Sequence, residues 1–217
     1  MKLADLHLHT IFSDGTYTPE ELINQVSNIG INAIAIADHD TVDGIVPTTE
    51  AAKKKNIEVI PAIELSTEYD GLEIHLLGYF IDYQREELVE KLDFLKKRRR
   101  ERIYKMVSRL KEMNVIIKAD DVFKLSGHGT VGRLHLARTL VKEGYANSIY
   151  DAFKKYIGEQ APAYICGFHF RPYEAIKLIR DCSGISVLAH PISIKRDDLI
   201  PLFIDYGMRG LEVYYPE

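Results

Sequence analysis

Tryptophan is absent from this 217-residue chain, and cysteine occurs only twice, as Cys166 and Cys182. Two cysteines outside any CxxC spacing exclude a disulfide-stapled scaffold and suit a reducing compartment, so a cytoplasmic location is expected. Long apolar runs are also lacking. Nothing approaches the ~18 uncharged apolar residues of a spanning helix, so no membrane association is expected. The start, Met1-Lys2-Leu3-Ala4-Asp5-Leu6-His7, lacks the apolar h-region of a secretory signal. Neither sign of charge dominates: 28 Lys and Arg stand against 32 Asp and Glu, for a net charge of −4. That balance excludes wholesale coating of nucleic acid and leaves room for a local basic patch. With 46% hydrophobic and 28% charged residues the chain is not disordered. At about 150 residues per domain it is one large domain, or one domain carrying an insertion. Against these shortages stand eight histidines.

The first 80 residues alternate between strand and helix patterns. Leu3, Ala4 and Leu6 begin a short apolar strand. Thr18-Pro19-Glu20-Glu21 is a helix start, with Thr18 as N-cap, Pro19 at the first helical position and acids in the first turn. Ala33–Ala37 and Ile57–Ile60 read as buried strands flanking a helix over Ile45–Lys55, the pattern of a parallel sheet made of βαβ units. Asp70-Gly71 reads as a hairpin turn. From Arg85 to Met113, Leu88, Leu92, Leu95, Ile103, Met106, Leu110 and Met113 recur at helical steps. Further helices are expected over Val131–Lys142 and Ser148–Ile157. The α/β texture returns with a helix over Pro172–Cys182, a strand at Ile185–Ala189, a helix over Asp198–Tyr206 and a strand-like Gly210–Tyr214. Residues 1–84 and 159–217 are therefore expected to form an α/β domain, and residues 85–158 a helical insertion subdomain.

The histidines fall at strand exits. His7 and His9 are two apart, so both imidazoles can share one face of the first strand's end. Asp14 follows in the loop. The second strand exits into Asp38-His39-Asp40, the third into Glu64, the hairpin strand carries His75, and another strand exits into His190-Pro191. A single histidine at a strand end is more often a hydrogen-bonded structural residue than a ligand. The same chemistry at four strand exits points to metal, because α/β folds build sites at the carboxyl ends of their strands. Imidazole and carboxylate without thiolate suit Zn, Mn or Fe, and so many ligands suit two or three clustered ions. Asp38 and Asp40 are open to two readings, orienting ligand histidines or capping turns.

The segments DLHLHTIFSDG, ADHDTVDG, AIELS, EIHLLGY and VLAHP, in this order, resemble the motifs of the PHP (polymerase and histidinol phosphatase) family of metal-dependent phosphoesterases. The resemblance implies a distorted seven-stranded (β/α) barrel with a trinuclear site. His7, His9 and Glu64 resemble the ligands of one metal. Glu64, His75 and His190 resemble those of a second, and Asp14 and His39 those of a third. The family pattern closes with an Asp-x-His pair, and this sequence ends at Glu217 before one. The C-terminal end of the barrel is accordingly expected to be missing.

Such a site suits hydrolysis of phosphate esters by attack of a metal-bridging hydroxide, with no protein nucleophile. Gly132-Arg133-Leu134-His135-Leu136-Ala137-Arg138 resembles the G-R-P-H-x-A-R segment of the nucleotide branch, with Leu134 in place of Pro. That branch includes 3′,5′-nucleoside bisphosphate phosphatases that also act as 5′→3′ exoribonucleases on short RNA. Arg133 and His135, at a helix start, are candidate substrate contacts. So is His169, between Phe168 and Phe170. His128 is a weaker candidate, for which the reading without a functional role is favoured. Lys96–Arg102 reads as a solvated charged helix face, with an oligonucleotide track as the alternative. A nucleotide or short RNA is therefore the expected substrate. Histidinol-phosphate phosphatase and a non-catalytic module serving a partner protein are the alternatives.

Overall fold

The apolar run Ala33–Ile36 forms strand β2 in a computed structural model that describes residues 2–166 and 170–215. Strand alternation sends Ile34 and Ile36 outward against helices α1 (Pro19–Asn28) and α2 (Ile45–Ala52), where Leu22, Ile23, Val26 and Ile45 bury them. Ala35 and Ala37 point the other way and meet Ala62, Leu77 and Ala189 in a second cluster. Four alanines in that cluster keep the concave side of the sheet narrow.

Strand β1 (Ala4–Leu8), β2 and β3 (Glu58–Tyr69) are parallel neighbours. Asp70 and Gly71, with φ of +49° and +78°, turn β3 back into β4 (Leu72–Tyr79). Two successive positive φ values are what a tight hairpin demands. Strand β5 (Ile185–Leu188) is antiparallel to β4, and β6 (Gly210–Leu211) is parallel to β5. The sheet order is β1-β2-β3-β4-β5-β6, giving a mixed α/β half-barrel of six strands among the described residues. Its two edges, β1 and β6, line a cleft of about 1010 Å³. Thr18 caps α1 as expected: its hydroxyl accepts from Glu21 N while the Glu21 carboxylate accepts from Thr18 N.

Between β4 and β5 the chain runs through α3 (Glu86–Glu112), α4 (Ala119–Ser126), α5 (Arg133–Lys142) and the short α6 (Ile149–Ala152), which continues as a π turn over Phe153–Ile157. After it, α7 (Pro172–Asp181) and α8 (Leu199–Asp205) flank β5. Residues between Ile103 and Ala163 share a separate core, with Met106, Leu110, Val122, Leu136 and Leu140 fully buried. Helix α3 serves both cores: Leu88, Leu92 and Leu95 pack with the barrel's Ile176 and Ile179, and Ile103, Met106 and Leu110 pack with the insertion.

The charge run on α3 departs from a solvated face. Lys97 and Arg100 are exposed, whereas Arg99 and Arg102 are each only 6% exposed. Helical spacing explains this, since residues 95, 99, 102, 103 and 106 share the inward stripe. Arg99 donates through Nε to Asp40 at 2.7 Å, through Nη2 to the Ser66 hydroxyl at 2.7 Å and through Nη1 to Val131 O at 3.2 Å. Asp40, itself buried and at φ +50°, also accepts from Ser66 N. Close backbone packing completes the docking. A Cβ at Gly129 would lie 2.6 Å from Phe12 O, and Thr130 binds Phe12 O through its amide and His39 O through its hydroxyl.

Breaking a buried ion pair leaves the partner charge without compensation, at a cost of about 3–5 kcal/mol. Arg99→Met is expected to lower the unfolding free energy by about that amount in urea titrations. Adding Asp40→Asn to Arg99→Met is expected to restore part of the loss.

Candidate metal centre

Glu64 lies within β3 with its side chain 0% exposed, and five imidazoles surround it. His7 comes from β1 and His9 from just beyond its end, two residues on and on the same side. His39 is placed by an extension of β2 along β3: Glu64 N donates to Asp38 O, Asp40 N donates to Glu64 O, and His39 bridges Glu64. His75 stands opposite Ser66 in the β3–β4 register, diagonal to Glu64. His190 follows β5 with φ +29°.

Each ring turns one nitrogen toward the Glu64 carboxylate. His7 Nε2 is 3.1 Å, His9 Nε2 3.3 Å and His39 Nδ1 3.2 Å from Oε2, while His75 Nδ1 and His190 Nε2 are each 3.0 Å from Oε1. Asp14 closes a neighbouring group, 3.7 Å from both His9 Nδ1 and His39 Nε2. Three overlapping sets have ligand atoms close enough to share a cation: His7, His9 and Glu64; His9, Asp14 and His39; and His39, Glu64 and His75.

The donor set fits a divalent ion. His7 Nε2, His39 Nδ1 and Glu64 Oε2 are buried and have no hydrogen-bond partner among the described residues, although all three converge. Leaving a buried polar atom unpaired costs about 1–3 kcal/mol, so three such atoms at one point mark a ligand cage. The remaining nitrogens are held from behind. His7 Nδ1 is 2.8 Å from Glu212 Oε1, His75 Nε2 is 3.1 Å from Glu73 Oε1, and His190 Nδ1 is 2.9 Å from the Ser193 hydroxyl. Such contacts fix which nitrogen faces the ion.

Electrostatics agree with this crowding. Burial would push the Glu64 carboxyl up, but the surrounding histidines hold it well below the usual carboxylate range. Burial disfavours the charged form of His75, yet the charges and hydrogen bonds of Glu64 and Glu73 outweigh it and raise the ring to about 10. His7 is raised in the same way to about 9 by Glu64 and Glu212. At His39 burial prevails over Glu64 and Asp14, and the ring falls to about 3.

Asp38 and Asp40 cap and brace. Asp38 accepts from Thr10 N at 2.7 Å, Thr10 Oγ1 at 2.6 Å and Ser13 Oγ at 2.5 Å, fixing the loop that carries His9 and Asp14. Arg138 donates to Asp14 O at 3.0 Å. Arg133 lies against Glu73 at 3.1 Å, one carboxylate away from His75. His135, expected at the substrate, is instead 2% exposed and packs beneath the helix, its Nδ1 accepting the Gly132 N–H at 3.1 Å to close the start of α5. Burial lowers this ring to about 4, which suits a neutral acceptor. His128 is exposed, and His169 lies outside the described residues.

Two carboxylates of the centre were missed from sequence, and both carried a signal. Glu73 stands two residues before His75 on one strand, which places it on the same face. Glu212 follows β6, the same strand-exit position that marks His39 and His190.

A family model described as PHP domain matches residues 5–165. A 5′-3′ exoribonuclease of Haemophilus influenzae is 35% identical over 217 residues, which cover 98% of this chain and 79% of that one. The Escherichia coli 5′-3′ exoribonuclease Rnm is 35% identical over 87% of this chain and 65% of its own length. A 3′,5′-nucleoside bisphosphate phosphatase of Chromobacterium violaceum is 27% identical, with 98% of this chain and 77% of that one covered. Among solved structures, a Bifidobacterium adolescentis protein assigned as a metal-dependent phosphoesterase superposes with a TM-score of 0.90 at 31% identity, covering 98% of this chain and 77% of that one. With its histidine cage at the strand ends, this chain belongs to the PHP family and is a metal-dependent phosphoesterase.

Proposed function

We propose that the protein hydrolyses phosphate esters of nucleotides or of short RNA ends. The observation that carries this reading is the pairing of a cage built on Glu64 with an arginine, Arg133, held one carboxylate from the cage. The exoribonuclease and bisphosphate phosphatase relatives support the same substrate class.

His7, His9 and Glu64 would hold one ion, Glu64, His75, His190 and His39 a second, and Asp14 with His9 and His39 a third. The all-imidazole and carboxylate donor set suits Mn, Zn or Fe. Bound ions would supply Lewis-acid stabilisation of the phosphoryl oxygens and an activated water. The chain's own residues do the rest. Glu64 spans the ligand sets and fixes their spacing. Glu212 and Glu73 hold His7 and His75 in the tautomers that face the centre. Arg133 binds a substrate phosphate oxygen by a charge-assisted hydrogen bond. The two unpaired cysteines suit a cytoplasmic setting, and among the described residues no helix is long and apolar enough to cross a membrane.

Incubation with Mn²⁺ and adenosine 3′,5′-bisphosphate, or with a short 5′-phosphorylated RNA, is expected to release phosphate or mononucleotides, and chelator is expected to abolish this. Hydrolysis of histidinol phosphate alone would transfer the assignment to that substrate, and inactivity on all three would favour a non-catalytic module. His9→Ala is expected to reduce turnover about 10²-fold or more, beyond the loss typical of a residue behind the ligands, with unchanged circular dichroism. Arg133→Ala is expected to raise KM about 10–100-fold, the worth of one hydrogen bond to a charged group. Unaltered KM and kcat in Arg133→Ala would remove that residue from the substrate site.

A further inference from the structure

Glu73 is a buried carboxylate that holds three partners at once. Its side chain is 8% exposed on β4. Oε1 faces His75 Nε2 at 3.1 Å, while Oε2 takes Arg102 Nη2 at 2.8 Å and Arg133 Nη2 at 3.1 Å. Arg102 belongs to α3 and is anchored through Nε to Ile165 O at 2.7 Å. Arg133 opens α5, and its guanidinium lies 5.3 Å from the Tyr164 ring and 5.7 Å from the Phe153 ring. A barrel strand, two helices of the insertion and a metal-ligand ring thus meet on one carboxylate.

A guanidinium has five donors in a rigid fork, so fixing one of them on Glu73 sets the direction of the others. The tyrosine and phenylalanine rings restrict the same group further. Because Glu73 also touches His75, the position of the fork is referenced to the metal centre rather than to the insertion alone.

We propose that Glu73 is a positioning residue that holds the Arg133 guanidinium in register with the metal centre, so that a phosphate group lying on the centre is gripped by Arg133. This rests on the reading of Arg133 as a phosphate contact. Charge and position predict opposite signs here. Removing a carboxylate beside an anion site tightens anion binding by charge alone, whereas losing the fork's alignment weakens it.

The probe is inorganic phosphate, titrated calorimetrically into metal-free and Mn²⁺-loaded protein. Glu73→Asp keeps the charge and withdraws the carboxylate by one methylene. Glu73→Gln keeps the shape and removes the charge. Both are expected to weaken phosphate binding about tenfold, within the range seen for residues that orient a site from behind. Arg133→Met is expected to weaken it about 10–100-fold, and Glu73→Asp should add nothing further in that background. Glu73→Gln is also expected to lower Mn²⁺ affinity about 10–100-fold through His75. Phosphate binding by Glu73→Asp or Glu73→Gln that equals or exceeds the unmodified protein's would overturn the inference, as would effects that add to Arg133→Met. If Glu73→Gln does not fold, Glu73→Asp decides alone. Unchanged binding in Arg133→Met would instead show that the phosphate reading of Arg133 had failed, whichever way Glu73 behaved.

Discussion

The structure is organised around one buried carboxylate. Withdrawing Glu64 from water costs several kcal/mol unless opposite charge or strong donors replace the lost hydration. Five imidazoles from four strands surround it, each at 3.0–3.3 Å, and with the cation they can hold would stand in for that hydration. To bring them there the strand ends must converge, and the alanine-lined interior at Ala35, Ala37, Ala62 and Ala189 permits a sheet curved tightly enough to do so. The isoleucines of β2, facing the opposite way, anchor the helices that keep the sheet in place. The requirement to solvate one carboxylate with protein groups therefore sets the shape of the barrel's open end.

The helical insertion contributes to the centre as much as to its surroundings. Arg99 reaches Asp40 beside His39, Arg102 and Arg133 reach Glu73 beside His75, Arg138 reaches the backbone of Asp14, and Thr130 reaches that of His39. Every one of these contacts ends on a candidate ligand or on a residue next to or touching one. A segment that packs its own core could have rested on the barrel through apolar surface alone. Instead its polar contacts brace the loops that carry the candidate metal ligands.

The clustering of the candidate ligands was legible in the sequence because a strand leaves a simple signature. Period-two spacing put His7 and His9 together, and short apolar runs announced where His39, Glu64 and His190 would emerge. The cap at Thr18 and the turn at Asp70-Gly71 were legible for equally local reasons. What could not be read depended on distant surfaces. Arg99 and Arg102 look like part of a solvated run until Asp40 and Glu73 are found beneath them. Helix α4 is only eight residues long, too short for its periodicity to stand out. His135 resembles a substrate contact in sequence, but a neutral ring beneath α5 closes a helix start that has no side-chain cap at Gly132. Leu134, in the place of the usual proline, leaves that start intact.

Glu212 extends the logic of Glu64 across the open side of the sheet. β1 and β6 are the two edges and share no ladder among the described residues. Yet Glu212, following the two-residue β6, takes His7 Nδ1 at 2.8 Å and His190 N at 2.7 Å. The first contact turns His7 Nε2 inward to Glu64, and the second holds the backbone of a ligand residue in a left-handed conformation that favours glycine. This carboxylate thus reaches a residue 205 positions away in sequence and performs at the sheet edges what backbone pairing performs between its inner strands. Orientation of the first histidine motif accordingly depends on a residue that follows β6, so β1 and β6 act on the centre together.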